Sequence, residues 1–186
     1  SWTDRNLDVL VGGFFNSSYG DRREVYKYAE SNCSLCFVPS STLELIAPKK
    51  YWNRVMKSKF VMSPHGGGWD CHRTTEILLL GSIPIIPYWP GATSAYKDLP
   101  VVIIHSLEEI TTTAIQRWSK ELEALVVDRA HVKQILSVSY WGDQLRIHKK
   151  DTSSSVQGQM LNIRSSTMNP ISVEVSKQVK SEGKGD

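Results

Sequence analysis

The sequence predicts an α/β domain built on a doubly wound parallel sheet. Short apolar runs recur along the chain, at Asp8–Phe14, Lys59–Met62, Ile83–Ile86 and Val101–Ile104. They lack the period-two alternation of half-exposed strands, as expected for strands covered on both faces. They also alternate with amphipathic stretches as far as about Tyr140, the pattern of helices wound over a parallel sheet.

Each element follows from its residues. Asp8–Phe14 (DVLVGGF) is apolar and ends on glycine, a first strand, and Phe15–Gly20 is a polar loop. Asp21 opens a helix that runs to about Ser31, with Glu24 three residues on as in a capping box. Ser34–Val38 reads as a second strand closed by Pro39, and Ser40–Pro48 carries no clear pattern. Tyr51–Lys57 is helical, with Tyr51, Val55 and Trp52 turned inward. Lys59–Met62 is the third strand, Ser63–Trp69 a loop, and Asp70–Leu80 a helix stopped by Gly81. Ile83–Ile86 and Val101–Ile104 are the last two strands, separated by Tyr88–Pro100, a loop with one helical turn. Leu107–Glu109 opens the next connection, followed by helices at Thr113–Leu122 and Asp128–Tyr140. In the latter, Val132, Ile135, Leu136 and Ser139 fall at helical spacing.

The folded domain is expected to span residues 1–150. From Asp151 the composition turns to Ser, Thr, Gln, Lys and Gly without periodicity, so 151–186 reads as a disordered polar tail. The opening Ser1-Trp2, in place of Met, reads as a fragment or a processed product. The net charge of +3 is mild and the basic residues are scattered, which argues against nucleic acid as a partner. No apolar run approaches the roughly 20 residues of a membrane helix. Three cysteines, an odd and low count, argue against a disulfide scaffold. Cys33-Ser-Leu-Cys36 has redox or zinc spacing but runs into Phe37-Val38, and residues three apart on a strand point to opposite faces. No second pair completes a zinc site, so these cysteines read as buried apolar residues.

The chemistry-bearing segment is Lys59–Glu76, in which a strand ends, Gly66-Gly67-Gly68 follow, and a helix begins. The glycines let backbone approach a ligand closely. Asp70 is placed as the N-cap, and the first turn of the helix offers N–H groups and a positive dipole end to a phosphate. Arg73 and Glu76, three apart, share a helix face. The arginine can fork onto phosphate oxygens, and the carboxylate can accept from ribose hydroxyls. Each residue also has a plain structural reading: a tight loop, a surface ion pair, a solvated His65. Their conjunction at the carboxyl end of a strand favours a ligand site. His65-Gly-Gly-Gly-Trp69 also suits the oxyanion hole of a lipase-like esterase, but the required Gly-x-Ser-x-Gly elbow is absent. Gly91-Ala-Thr-Ser94-Ala lacks its second glycine, and no Gly-Lys-Ser/Thr of a Walker loop follows the glycines.

The segment Ser58–Ile86 resembles the exostosin-like family of glycosyltransferases. The similarity rests on Gly68, Asp70, Arg73, Glu76, Gly81, Ile83 and Pro84, and extends more weakly over Asp8–Tyr140. It implies one Rossmann-like half of a two-domain GT-B enzyme, the carboxyl-terminal half that binds the nucleotide-sugar donor. Arg73 would then contact the diphosphate and Glu76 the ribose. His65 would lie near the phosphates, and Gly66, Gly67 and Asp70 would shape the loop. Thr75 and Ile77 stand where the family commonly has Trp and Ala, a difference of packing.

The resemblance further implies a UDP-sugar donor and a glycan or glycoprotein acceptor. It also implies residence in the Golgi or ER lumen, with a membrane reached only through an amino-terminal anchor outside this sequence. No Asp-x-Asp metal motif is present, so metal-independent transfer without a cofactor is expected. The catalytic base is unassigned; Asp21, Glu24 and Glu44 lie in or near candidate loops. Without the acceptor domain the chain is expected to bind a donor and to need that partner for turnover. The alternative is a non-catalytic nucleotide-binding module. Arg22 and Arg23 are better read as solvated charges than as phosphate ligands. Trp69 and Tyr88-Trp89-Pro90 suit stacking or packing equally, and Asn16 and Asn32 fit the glycosylation pattern.

Overall fold

The computed structural model describes residues 2–14, 21–39 and 47–147. The chain divides into two compact units, Ser1–Trp141 and Gly142–Asp186. Of the second, residues 142–147 are described and are helical. The expected loop at Phe15–Gly20, most of Ser40–Pro48, and the expected tail at 151–186 lie outside the described residues.

The first unit is the predicted parallel α/β sheet. Strands β1 (Leu7–Leu10), β2 (Cys36–Phe37), β3 (Ser58–Met62), β4 (Ile83–Pro87) and β5 (Val102–Ile104) are all parallel, in the order β2-β1-β3-β4-β5. The chain moves one way for β2, then crosses back over β1 for β3 to β5. The order therefore reverses at the gap between β1 and β3, where a doubly wound sheet opens its ligand crevice. Val9 and Leu10 face Phe60 and Val61 across that gap in register.

Alternation along the strands feeds two cores. Val9, Val11, Phe60, Met62, Ile83 and Ile85 share one face. Against it pack Val25, Tyr26 and Ala29 of α1 (Arg22–Ser31) and Ile115 and Trp118 of α5 (Thr112–Val127). On the other face Leu10 and Val61 meet Tyr51 and Val55 of α2 (Pro48–Val55) and Ile77 of α3 (His72–Leu79). A third cluster joins Leu78 of α3 to Leu99 and to Val132 and Ile135 of α6 (Arg129–Ile135). The strands are buried on both sides, which is why their sequences read as continuous apolar runs.

Several boundaries differ from expectation for local reasons. β1 stops at Leu10 because Gly13 turns into the left-handed region, φ +78°. α2 begins at Pro48, whose fixed φ suits a first helical position, and Trp52 is exposed rather than inward. The single helical turn after β4 is α4 (Ala92–Ala95). The anticipated Asp128–Tyr140 helix breaks after Ile135, and residues 138–147 are helical again. Ser137 causes the break. Its hydroxyl donates to Gln134 O and accepts from Tyr140 N, capping the next segment.

The cysteine reading is corrected: Cys33 and Cys36 form a disulfide. Cys33 precedes the strand, and a turn closed by Cys36 N to Cys33 O brings the two Cα atoms to 5.3 Å. The opposite-face argument fails because residues 33–35 are not extended. Cys71 is free and buried.

The carboxyl end of α3 is heavily braced. Gly81, φ +79°, ends the helix in a Schellman turn, with Ser82 N bonded to Ile77 O and Gly81 N to Leu78 O. Arg129 Nη2 donates to Leu78 O and Leu79 O, and Arg5 Nη2 to Leu80 O. Arg5 Nη1 also reaches Val55 O, Ser58 O and Ser82 Oγ, joining α2, β3 and the α3 exit through one guanidinium. Replacing Arg5 by Met would strand these acceptors, so Arg5→Met should cost about 3 kcal/mol in urea unfolding. A loss under about 1 kcal/mol would show the network to be dispensable.

Candidate functional site

The switch point is formed by the loops that leave β1 and β3. After β1, Gly12 lies against Pro39 and Gly13 against the ring of Tyr51. A Cβ on Gly13 would stand 2.3 Å from Tyr51 Cε2, so this glycine answers both to a left-handed φ and to a steric demand. Phe14 follows, its ring tilted against Tyr26 at 4.9 Å and its carbonyl accepting from Tyr26 Oη at 2.7 Å. After β3, Ser63 N extends the ladder to Ile85 O, and its hydroxyl bonds Thr74 Oγ1 at 3.0 Å.

Arg73 joins the two loops. It sits in the first turn of α3, only 5% exposed. Its Nη1 donates to Pro64 O at 3.0 Å and its Nε to Gly13 O at 3.4 Å, and its guanidinium carbon lies 4.9 Å from the centre of the Phe14 ring. No carboxylate among the described residues pairs with it. Burial holds its pKa below the ordinary arginine value, and nearby Arg22 adds to that lowering.

The other expected site residues divide into three directions. His65, Gly66 and Gly67 stay with Arg73 on the β3 loop. His65 is half-buried, with Nδ1 3.6 Å from Asp21 Oδ2, Nε2 buried and unpartnered, and Trp69 edge-on at 4.8 Å. Gly66 N bonds Gly68 O, and a Cβ on Gly66 would touch Arg22 and Cys71 at 3.4 Å. None of the three loop glycines has a positive φ, and Gly67 faces open space.

Asp70 is turned away, toward α4, accepting from Tyr96 Oη at 2.6 Å. It does not cap α3. Cys71, in extended conformation, holds the N-cap position without a side-chain bond, and the helix starts at His72. Glu76 is also apart from Arg73. The two form no ion pair, and Glu76 Oε2 instead accepts from Trp52 Nε1 of α2 at 3.4 Å.

Two contributors sit differently from the sequence reading, and a third, buried as expected, adds a hydroxyl that its apolar spacing does not register. Arg22, expected to be solvated, is partly buried and donates from Nε to His65 O at 3.1 Å, while Arg23 is exposed as expected. Asp21 makes no capping bond; its carboxylate serves His65. Tyr51 is core as expected, and its buried hydroxyl has no partner among the described residues. Only the pairing of β1 with β3 brings these residues together. Between α1 and the ends of β4 and β5 lies an open cavity of about 400 Å³, lined by Asp21, Glu24, Tyr88, His105 and Ser106. Among the described residues no three His, Cys, Asp or Glu side chains are grouped to hold a metal ion. No protein-family model matches the chain, and no curated protein matches it.

Two predictions follow from this geometry. Gly13→Ala should destabilise by about 2 kcal/mol or more because strain and a clash with Tyr51 combine. Gly67→Ala, with open space at its Cβ, should leave the melting temperature near wild type. Equal effects would place the conformational demand elsewhere.

The second concerns alkali. Burial raises the Tyr26 phenol to about 12, and burial also raises Tyr51 and Tyr96, the latter helped by its bond to Asp70. A raised phenol contributes stability below its unfolded value of 10.0 and loses it as pH climbs toward the folded value. Absorbance at the phenolate band should show these residues titrating late, with unfolding free energy falling from about pH 10 upward. Simple titration of all tyrosines near 10, with flat stability, would contradict the burial described.

Proposed function

We propose that this domain binds the nucleotide-sugar donor of a glycosyl transfer, as the exostosin-like motif implies. The observation that carries the reading is Arg73. A nearly buried guanidinium without a described carboxylate partner sits at the topological switch point, bound to the loops of both strands. Such a charge is costly unless something anionic shares its site. Arg22, bonded to His65 O and close enough to Arg73 to act on its charge, would give a diphosphate a second guanidinium beside the uncapped start of α3. Glu76, one turn along and steadied by Trp52, is placed for hydroxyls at the α2 side.

In transfer, negative charge develops on the departing diphosphate, and fixed cations at that point would stabilise it. The chain's own residues thus account for leaving-group stabilisation. The acceptor, a glycan or glycoprotein, and its deprotonation belong to a surface contributed from elsewhere. A donor in the UDP-sugar class fits the motif's resemblance. Residence in a secretory lumen is favoured by the Cys33–Cys36 disulfide, since such bonds persist in oxidising compartments. Among the described residues, no helix is long and apolar enough to cross a membrane.

A second reading, a nucleotide-binding module without turnover, is favoured by one observation. Asp21 is engaged by His65, and Asp70 by Tyr96. Neither is presented as a free base.

Calorimetry with UDP-, GDP- and CMP-sugars tests the binding claim common to both readings. One nucleotide class should bind saturably, and Glu76→Gln should weaken it about tenfold, or about 1.4 kcal/mol. Arg73→Lys should weaken it at least as much, because a lysine cannot reproduce the fork. Failure of every nucleotide to bind the intact chain would sink both readings. Transfer to a glycan acceptor on adding the partner domain would separate the first from the second.

A further inference from the structure

The hydroxyl of Tyr51 has no task in the fold. The ring belongs to an apolar cluster with Leu10, Val55, Val61 and Ile77, a role that phenylalanine would fill. The residue is only 6% exposed, yet its oxygen has no hydrogen-bond partner among the described residues. Tyrosine hydroxyls at buried positions usually find one, so this oxygen is free to donate to a ligand. The backbone accommodates this ring specifically, since Gly13 takes a left-handed φ and leaves no Cβ where the ring lies.

The surroundings say what the ligand is. Arg73 and Glu76 are the charged groups within electrostatic reach of the phenol, with Cys71 and Tyr26 beside them. Burial keeps the phenol protonated through the neutral range, so it is available as a donor. Arg73 next to it is a buried cation with no described carboxylate. Two donors, one of them charged, therefore lie close together where the strand order reverses between β1 and β3, and no carboxylate among the described residues pairs with either.

Resting on the donor-site reading above, we propose that Tyr51 is a ligand-contacting residue whose hydroxyl donates to a phosphate oxygen held by Arg73. The contact makes the site selective for the phosphate-bearing part of the ligand rather than for its sugar or base. Glu76 deals with hydroxyls, and Tyr51 with Arg73 deals with anionic oxygens. Loss of one such donor should weaken binding about tenfold.

The test uses the full chain, with UDP and inorganic pyrophosphate as probes, titrated into wild type, Tyr51→Phe and Glu76→Gln. Thermal melts are recorded for each. Tyr51→Phe should melt at or above the wild-type temperature, because an unpaired buried hydroxyl is removed, and should bind both probes about tenfold more weakly. Glu76→Gln should weaken UDP while leaving pyrophosphate unchanged. Should Tyr51→Phe fail to fold, the wild-type Tyr51 phenol is followed by NMR, and a shift on adding pyrophosphate is expected. Unchanged affinity in Tyr51→Phe, or an unmoved phenol signal, overturns the proposal alone. A lowered melting temperature with unchanged affinity reassigns the hydroxyl to a structural water. If wild type binds neither probe, the donor-site reading fails and this inference falls with it.

Discussion

Arg73 is the constraint on which the rest of the switch point depends. Its guanidinium touches both the loop leaving β1, through Gly13 O, and the loop leaving β3, through Pro64 O. Two adjacent parallel strands diverge at their carboxyl ends, and something must hold their loops in register. A long planar cation rooted on α3 does this and stacks on Phe14, whose carbonyl is tied to Tyr26 in α1. One side chain therefore couples α3, both loops and the start of α1. The charge needed for bridging is the same charge that makes the place a candidate anion site.

The glycines around it work in two different ways. Gly13 and Gly81 are conformational, with φ of +78° and +79°, and each lies against a bulky neighbour, Tyr51 or Arg5. Gly66, Gly67 and Gly68 have ordinary backbone angles, and Gly67 touches nothing at the Cβ position. The triple-glycine segment is thus not a strained turn. What it offers is bare backbone at the surface, which suits close approach by a ligand but does not require one.

The site is divided by the sheet. On the α1 side lie His65, Asp21, Arg22 and the cavity beside β4 and β5. On the α2 side lie Tyr51, Trp52 and Glu76. Arg73 stands between them. Asp21 and Glu76 on the two flanks have protein partners, whereas Tyr51 Oη and His65 Nε2 are buried without a partner among the described residues.

The sequence by itself determined the strands, the parallel α/β class and the strand-loop-helix unit at Lys59–Pro87. These depend on local composition: apolar runs of strand length, glycines, and helical spacing in Asp70–Leu80. It also placed Arg73 at the first turn of a helix, because that position is counted along the chain. Tertiary structure decided where the side chains went. Asp70 was read as a cap and Arg22 as a solvated charge because nothing in the chain says that Tyr96 approaches from α4 or that β1 lies next to β3. The cysteine pair went wrong because strand geometry was assumed where a turn stands. Tyr51 followed its apolar period into the core, as expected, but a hydrophobic pattern registers the ring and is silent on the hydroxyl. Spacing specifies neighbours three or four residues away, whereas this site is assembled from residues up to 60 positions apart, at the one place where the strand order reverses.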